Sequence, residues 1–551
     1  MGEQSMESLK RVREVLIVTL LLALTVLLTA RNMGAREFWY SDDAGFALDG
    51  AMLHDLVWKP ASMNPVESAI RFYVRYPGLT MGYHPVILPL AEAILYSIVG
   101  ISLFSCHLAV ICFGVIAVLY FYWLCKYLYG TEVAIAAAAL LATAPYFVFW
   151  SREVMSEIPL VAVTVAALYH GVRYIDGDDR AAWPAAMAVG LTPYAKQTGI
   201  LVVAVLLGYA LWTQKIERVM RRRLILPAAV GVVLILAVGV LYFAMGRVNV
   251  IQAIARPVPF GPSPPKWSWE SITFYLRALV DPMSTVSPGQ LTIPLIVLAV
   301  LGSAWGTVHS RRQSFKLVTI WLTVCYLFFT FALRLKGTRF TIVWVPAFCL
   351  LAALVLMQQP GSVARSVSAL AIGILIAYQF FVSWTSPMPA VGGNRQIVEY
   401  LAEHPHGDSI MVHYDHQPNL PFLMRSLTPD QYYVLRANKV LYSSVQDTDM
   451  DLVEHVEGAF DVLKMLDDWG TGYVLISQYR GQAERRPVRL LRQVLSSPDF
   501  QFVRSFSIRG ARSGQAETVM LFQRTEPHPR TITRTSLQMP IVGRSLNIWL
   551  P

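Results

Sequence analysis

Long apolar runs separated by short polar stretches fill the first 385 residues of the chain. A helix that crosses a bilayer needs about 20 apolar residues, within a range of about 17–25. Runs of that kind cover 15–30, 106–125, 132–149, 157–174, 197–213, 224–245, 291–308, 317–334, 340–357 and 366–384, and a weaker one, 182–194, holds Pro184 and Pro193. The run from Pro85 to Ser102 is interrupted by Pro85, Pro89 and Glu92. From about residue 393 the pattern turns soluble. Asp408-Ser409-Ile410-Met411-Val412 and Gly472-Tyr473-Val474-Leu475-Ile476 predict short buried strands, Asp451 to Trp469 carries a helical period, and further strands are predicted near 501–508 and 517–523. The stretch 526–551 shows no period and is read as an extended tail.

Charge sharpens this into a topology. The chain of 551 residues is 55% hydrophobic and only 15% charged, where a globular enzyme carries about 25% charge. Its mean hydropathy is +0.46. The net charge of +10 does not indicate nucleic acid as a partner, because the cations fall in clusters between apolar runs: Lys10, Arg11 and Arg13; Lys215, Arg218 and Arg221 to Arg223; Arg311, Arg312 and Lys316. That is the positive-inside pattern, with the lipid bilayer as the partner. The five cysteines sit in apolar runs without metal-ligand spacing or a disulfide framework. The basic-then-apolar N-terminus is read as an uncleaved first span, since no small-x-small pattern precedes the acidic stretch.

Parity fixes the rest. With the N-terminus cytoplasmic, the clusters at 215–223 and 311–316 both come out inside only if 85–102 does not cross. That segment is therefore predicted to be a juxtamembrane or re-entrant helix on the outer side. The expected fold is an α-helical polytopic membrane protein of about eleven spans plus that outer helix, with a small C-terminal α/β domain on the outer face. The domains are 1–385 (outer loop 31–105, lid-like proline-rich loop 246–290), 393–525 and the tail.

Several costly polar residues then share the outer boundary: Asp42 and Asp43 after the first span, Tyr83-His84-Pro85 at the end of the first loop, the turn Ser151-Arg152 to Glu157, Tyr194-Ala195-Lys196-Gln197, and Arg334, Lys336 and Arg339. Ser41, Asp42 and Asp43 also suit a helix cap, and Glu157 a helix start. Cations on the outer face run against the positive-inside bias and fit an anionic ligand such as phosphate. Carboxylates beside them fit a general base or metal ligands. His413, Asp415 and His416 form a second cluster, read as incidental loop histidines ahead of a metal site.

The order of these motifs resembles the GT-C superfamily of polyprenyl-phosphate-dependent glycosyltransferases, in the branch of the protein mannosyltransferases and the lipid A aminoarabinose transferase. The resemblance covers roughly 10–385. It rests on Ser41-Asp42-Asp43, Tyr83-His84-Pro85, Ser151-Arg152 to Glu157-Ile158-Pro159, Ala195-Lys196-Gln197-Thr198-Gly199, and Arg339-Phe340 with Pro346. It implies an inverting transfer of a sugar from a polyprenyl-phosphate donor to a glycan, lipid or protein acceptor on the outer side of a bacterial plasma membrane. By the same resemblance Asp42 is the general base and Asp43 supports it, while Glu157 stands where relatives usually carry aspartate. His84, Arg152, Lys196 and Arg339 hold the donor phosphate. Metal dependence varies across the superfamily; a divalent cation, if used, would take Asp42, Asp43 and Glu157. The alternatives are a transporter of a lipid-linked or anionic substrate and a non-catalytic envelope-assembly protein. The charged residues cluster at one boundary and no repeat is visible, which favours the enzyme over the transporter. Eleven spans exceed what an anchor needs.

Overall fold

The structure is a computed structural model, and it describes residues 2–58, 64–80, 84–244, 267–280, 291–308, 313–333, 336–357, 362–387, 391–443, 452–478, 484–510, 516–539 and 544–549. The chain runs through α1 (Gly2–Thr29), α2 (Ser41–Trp58), α3 (Pro65–Arg75), α4 (Ile87–Val99), α5 (Leu103–Tyr129) and α6 (Thr131–Thr143). It continues with α7 (Pro145–Trp150), α8 (Glu157–Asp176), α9 (Ala182–Ala195) and α10 (Leu201–Trp212), followed by the helices Arg222–Ala244, Trp269–Ala278, Ile293–Val308, Gln313–Leu327, Val345–Met357 and Ser362–Thr385. Seven of the described helices are long and apolar enough to cross a membrane: Met6–Thr29, Leu103–Tyr129, Glu157–Asp176, Arg222–Val240, Phe315–Ala332, Thr338–Met357 and Ser362–Thr385. Shorter apolar helices cover Ile87–Val99, Thr131–Thr143, Gln197–Trp212 and Ile293–Ala304. This is an integral membrane protein.

Two compact units emerge. The first comprises Met1–Met33, Gly82–Leu88 and His107–Met388; the second comprises Gly34–Met81, Pro89–Cys106 and Pro389–Pro551.

In the first unit small residues bring helices together, since lipid offers no hydrophobic drive for helix association. A Cβ on Gly302 would lie 2.2 Å from the Leu351 carbonyl oxygen, and one on Gly190 would lie 2.8 Å from Leu234 Cδ1. Buried hydrogen bonds add specificity: Thr143 donates to Gln379 (3.1 Å) and Ser383 to the Thr143 carbonyl (2.8 Å).

Polar contacts sort the ends of this bundle. At one end Lys126 pairs with Glu14, Lys215 with Asp176 (2.7 Å), Arg218 with Asp179 (2.7 Å), and Lys316 donates to the Trp212 carbonyl (3.1 Å). The basic cluster after α10 and the acidic turn after α8 therefore share an end, as parity required. At the other end Arg152 donates to the carbonyls of Leu28 and Ser383, and Lys196 meets Glu157.

Three predicted runs are locally reshaped. The run 132–149 breaks at Ala144, whose ψ of 121° is extended, because the ring of Pro145 disfavours a helical residue before it. The run 317–334 ends in a π-helical turn, Phe328–Ala332, whose carbonyls at Phe329 and Thr330 accept from Lys336 Nζ. The period over 451–469 becomes a helix only from Ala459. There the Asp461 carboxylate accepts from the Gly458 and Glu457 amides at 3.0 and 2.8 Å and fixes the start.

The second unit is built on a five-stranded sheet in the order β2-β1-β5-β7-β6. Its strands are β1 (Ser409–His413), β2 (Tyr433–Arg436), β5 (Thr471–Ser477), β6 (Phe500–Ile508) and β7 (Glu517–Arg524), with short strands β3 (Tyr442–Ser443) and β4 (Val453–Glu454) between. β1 pairs parallel with β2 and β5, while β7 pairs antiparallel with β5 and β6. Almost every residue of β1 and β5 is buried, as expected of parallel strands covered on both faces. α3 contributes Val74 and Ile70 to this core. Residues 34–58 and 89–106 belong to the same unit, and α2 packs against α4 so closely that a Cβ on Gly50 would lie 2.7 Å from Glu92 Cβ. The stretch read as an extended tail holds a hairpin, β8 (Arg534–Met539) with β9 (Arg544–Trp549), in the register Leu537 to Leu546. Six-residue strands are too short to stand out by period.

Candidate active site

The residues predicted to act together fall into two sets. Glu157, Lys196, Arg339, Arg152 and His84 lie in the first unit; Asp42 and Asp43 lie in the second.

Glu157 opens α8 and is 1% exposed. Its Oε1 accepts from Lys196 Nζ at 2.6 Å and lies 3.7 Å from Arg339 Nε. Its Oε2 has no hydrogen-bond partner among the described residues. Lys196 reaches this point because α9 ends there: its φ of −165° and ψ of 142° are extended, and a 3₁₀ turn, Gln197–Ile200, follows. The turn folds back so tightly that a Cβ on Gly199 would sit 2.5 Å from the Thr192 carbonyl oxygen. Arg339 lies in a 3₁₀ helix, Thr338–Trp344, that leads into the Val345–Met357 helix. The Phe340 ring lies beneath both cations, 5.2 Å from Lys196 Nζ and 5.7 Å from Arg339 Cζ. In the sequence Phe340 stands only as the neighbour of Arg339 in its motif, and its place under both cations is a tertiary contact.

The chemistry of this cluster is plain. Two cations meet one carboxylate oxygen. The two donors are held by a common acceptor and by an aromatic face, which sets their positions. Such a pair is suited to grip a phosphate, with arginine offering forked donors and lysine a compact charge.

Arg152 is placed differently. Its guanidinium is 2% exposed and donates through Nε to the Leu28 carbonyl at 2.8 Å and through Nη2 to the Ser383 carbonyl at 3.4 Å. These bonds tie the last turns of α1 and the Ser362–Thr385 helix together. His84 is half-buried just before Pro85 in the same unit. Tyr83 and Arg334 lie outside the described residues, as do 246–266 and 281–290 of the predicted lid; Trp269–Ala278 of that loop is helical.

Asp42 and Asp43 start α2. Asp43 is fully buried, and its Oδ2 accepts from the Tyr40 amide at 3.2 Å while its own amide donates to the Tyr40 carbonyl. With Tyr40 as cap, Asp43 stands at the third helical position, where an acidic side chain reaches back to the capping amide. Asp42, one residue earlier, is half-buried. The geometry thus gives Asp43 a helix-start role and leaves Asp42 the more accessible carboxylate.

Among the described residues no group of three or more His, Cys, Asp or Glu side chains could hold a metal ion. His413, Asp415 and His416 do not form one: the Asp415 amide donates to Glu517 at 3.2 Å, and His416 Nε2 lies 3.2 Å from the Gly510 carbonyl.

Residues 83–243 match the family model for dolichyl-phosphate-mannose-protein mannosyltransferase. No curated protein matches. Among solved structures the chain is similar to ArnT from Cupriavidus metallidurans in the apo state, at 16% identity and TM-score 0.60 over 92% of this chain and 97% of that one. The same protein bound to undecaprenyl phosphate gives 16% and 0.59 over the same shares. The oligosaccharyltransferase of Archaeoglobus fulgidus gives 11% and 0.53 over 84% and 69%. The chain has the GT-C glycosyltransferase fold. The acidic pair follows the first span, and the matched family region contains His84, Arg152, Glu157 and Lys196.

Proposed function

We propose that this GT-C protein transfers a sugar from a polyprenyl-phosphate-linked donor to a hydroxyl of a glycan, lipid or protein acceptor, with inversion at the anomeric carbon. The observation that carries the reading is the convergence of Lys196 and Arg339 on the single carboxylate of Glu157, in a fold shared with lipid-linked glycosyltransferases. The similar ArnT structure holds undecaprenyl phosphate, which supports a polyprenyl phosphate as the carrier.

Asp42 takes the acceptor proton as the hydroxyl oxygen attacks the anomeric carbon. The bond from that carbon to the phosphate oxygen breaks on the opposite face, which inverts the centre, and the polyprenyl phosphate leaves with the bonding pair. Lys196 and Arg339 stabilise the charge growing on that phosphate, the kind of contribution that counts most in a water-poor site. Glu157 holds the two cations ready. The parity of the charge clusters supports an extracytoplasmic site in a bacterial plasma membrane, with the N-terminus cytoplasmic.

The test is a panel of radiolabelled polyprenyl-phosphate sugars offered to the purified protein in vesicles, with release of polyprenyl phosphate as the readout. Asp42→Asn should cut turnover by about 100-fold or more, the scale of a lost general base, with donor binding retained. Lys196→Ala should instead weaken donor binding. Normal turnover in Asp42→Asn removes the base assignment, and undiminished donor affinity in Lys196→Ala removes the phosphate assignment.

A further inference from the structure

The segment that delivers Asp42 is gripped by side chains from the far end of the chain. Phe38, four residues before Asp42, donates its amide to Asn419 Oδ1 at 2.8 Å and accepts at its carbonyl from Asn419 Nδ2 at 2.9 Å. Asn419 is 2% exposed and thus pairs both backbone groups of Phe38 as a neighbouring strand would. One residue earlier, Glu37 pairs with Val391 through an isolated bridge. Its carboxylate lies at the start of the Asn394–Glu403 helix, where Oε1 accepts from the Arg395 amide at 2.9 Å and Oε2 from Asn394 Nδ2 at 2.6 Å and the Asn394 amide at 3.2 Å. An anion there is favoured by the helix dipole and by charge-assisted bonds. Tyr414 in turn donates to Asn394 Oδ1 at 2.7 Å. One residue later, Trp39 lies against His416 at 5.6 Å between ring centroids.

Three consecutive residues are therefore held by the C-terminal domain, and Tyr40 then caps the helix that carries Asp42. All of these contacts lie within the second unit. From them we infer that Asn419 and Glu37 are positioning residues for the acid at the start of α2, and that the C-terminal domain serves turnover by fixing the backbone from which Asp42 projects. This rests on the assignment of Asp42 as the base. The effect is specific in kind. A base displaced by about 1 Å can cost on the order of 100-fold in rate, whereas donor binding by Lys196 and Arg339 is untouched.

The test uses the full-length protein in vesicles. Asn419→Leu keeps the bulk and removes both bonds to Phe38; Asn419→Asp keeps only the acceptor for the Phe38 amide. Ser409→Ala, which loses the buried 2.9 Å bond to Thr471 inside the sheet, is the control for general weakening of the domain. The expected order of kcat is wild type, then Asn419→Asp, then Asn419→Leu with a loss of about 10- to 100-fold, at unchanged donor KM. Ser409→Ala should keep the wild-type kcat. Amide hydrogen exchange over residues 37–46, which needs no substrate, should speed up in Asn419→Leu and stay as in wild type in Ser409→Ala. Unchanged exchange at these amides overturns the inference whatever the enzyme's substrate. So does a kcat for Asn419→Leu equal to that of Ser409→Ala, or a loss shared equally between kcat and KM. If exchange responds as expected but no donor on the panel is turned over, the functional reading fails and the backbone role of Asn419 stands.

Discussion

At the scale of single residues, the carboxylate of Glu92 stands out in the second unit. It is fully buried on α4, outside the seven long spans, and neither oxygen has a hydrogen-bond partner among the described residues. Burial, reinforced by the nearby charge of Asp49, pushes its carboxyl well above the usual range, so the folded protein keeps it protonated. Asp49, by contrast, is satisfied by the Thr80 amide and hydroxyl at 3.0 and 2.8 Å. The linkage has a definite sign. Above the ordinary value of 4.5 the unfolded chain releases this proton while the fold retains it, so stability falls as pH rises through that window. Glu92→Gln should therefore flatten the decline in melting temperature between pH 5 and pH 8 and raise the melting point at pH 8. An unchanged slope would show that Glu92 ionises freely in the folded state. The two acids at the start of α2 illustrate the same point about environment. Adjacent in sequence and alike in chemistry, they differ because Asp43 is spent on the Tyr40 amide.

Among the elements, the turn after α9 matters most for the candidate site. Pro193 lies in the last turn of α9, Lys196 is extended, and Gly199 passes the Thr192 carbonyl with no room for a side chain. Gly199→Ala must push this turn open, at an overpacking cost of about 1–3 kcal/mol. Because Lys196 lies on the displaced side, donor KM should rise several-fold. Gly239→Ala, where a Cβ would meet nothing within 4 Å, should leave donor KM as it was. Equal donor KM in the two variants would show that the turn does not set the position of Lys196. The spans themselves were largely legible: apolar period and length found the seven long apolar helices among the described residues, though not α2, which lies in the predicted outer loop. The breaks were less so. Pro145 announces its break through its ring, but the π-helical turn at Phe328–Ala332 depends on Lys336 folding back onto its carbonyls, a contact that no local pattern encodes.

For the molecule as a whole, the paired charges at one end of the first unit bear on orientation. Arg180 lies beside the Asp179–Arg218 pair, and Gln501 is exposed on β6. With the native cysteines replaced by serine, a membrane-impermeant maleimide applied to right-side-out vesicles should label Gln501→Cys and leave Arg180→Cys unlabelled until the membrane is opened. Labelling of Arg180→Cys in sealed vesicles would invert the topology. The sequence by itself determined the class of protein, the spans, the shared end of the basic clusters and the residue types at the candidate site. It could do so because hydropathy and charge report which solvent each stretch meets, and that is a local property. Only the tertiary structure decided that Glu157 serves both Lys196 and Arg339, that Arg152 is turned to the carbonyls of Leu28 and Ser383, and that Asn419 holds Phe38. Each of those is a choice of partner between separate elements, from 39 residues apart for Glu157 and Lys196 to 381 for Phe38 and Asn419. Burial drives most such polar groups to find a partner, but which one each finds is set by how the elements pack.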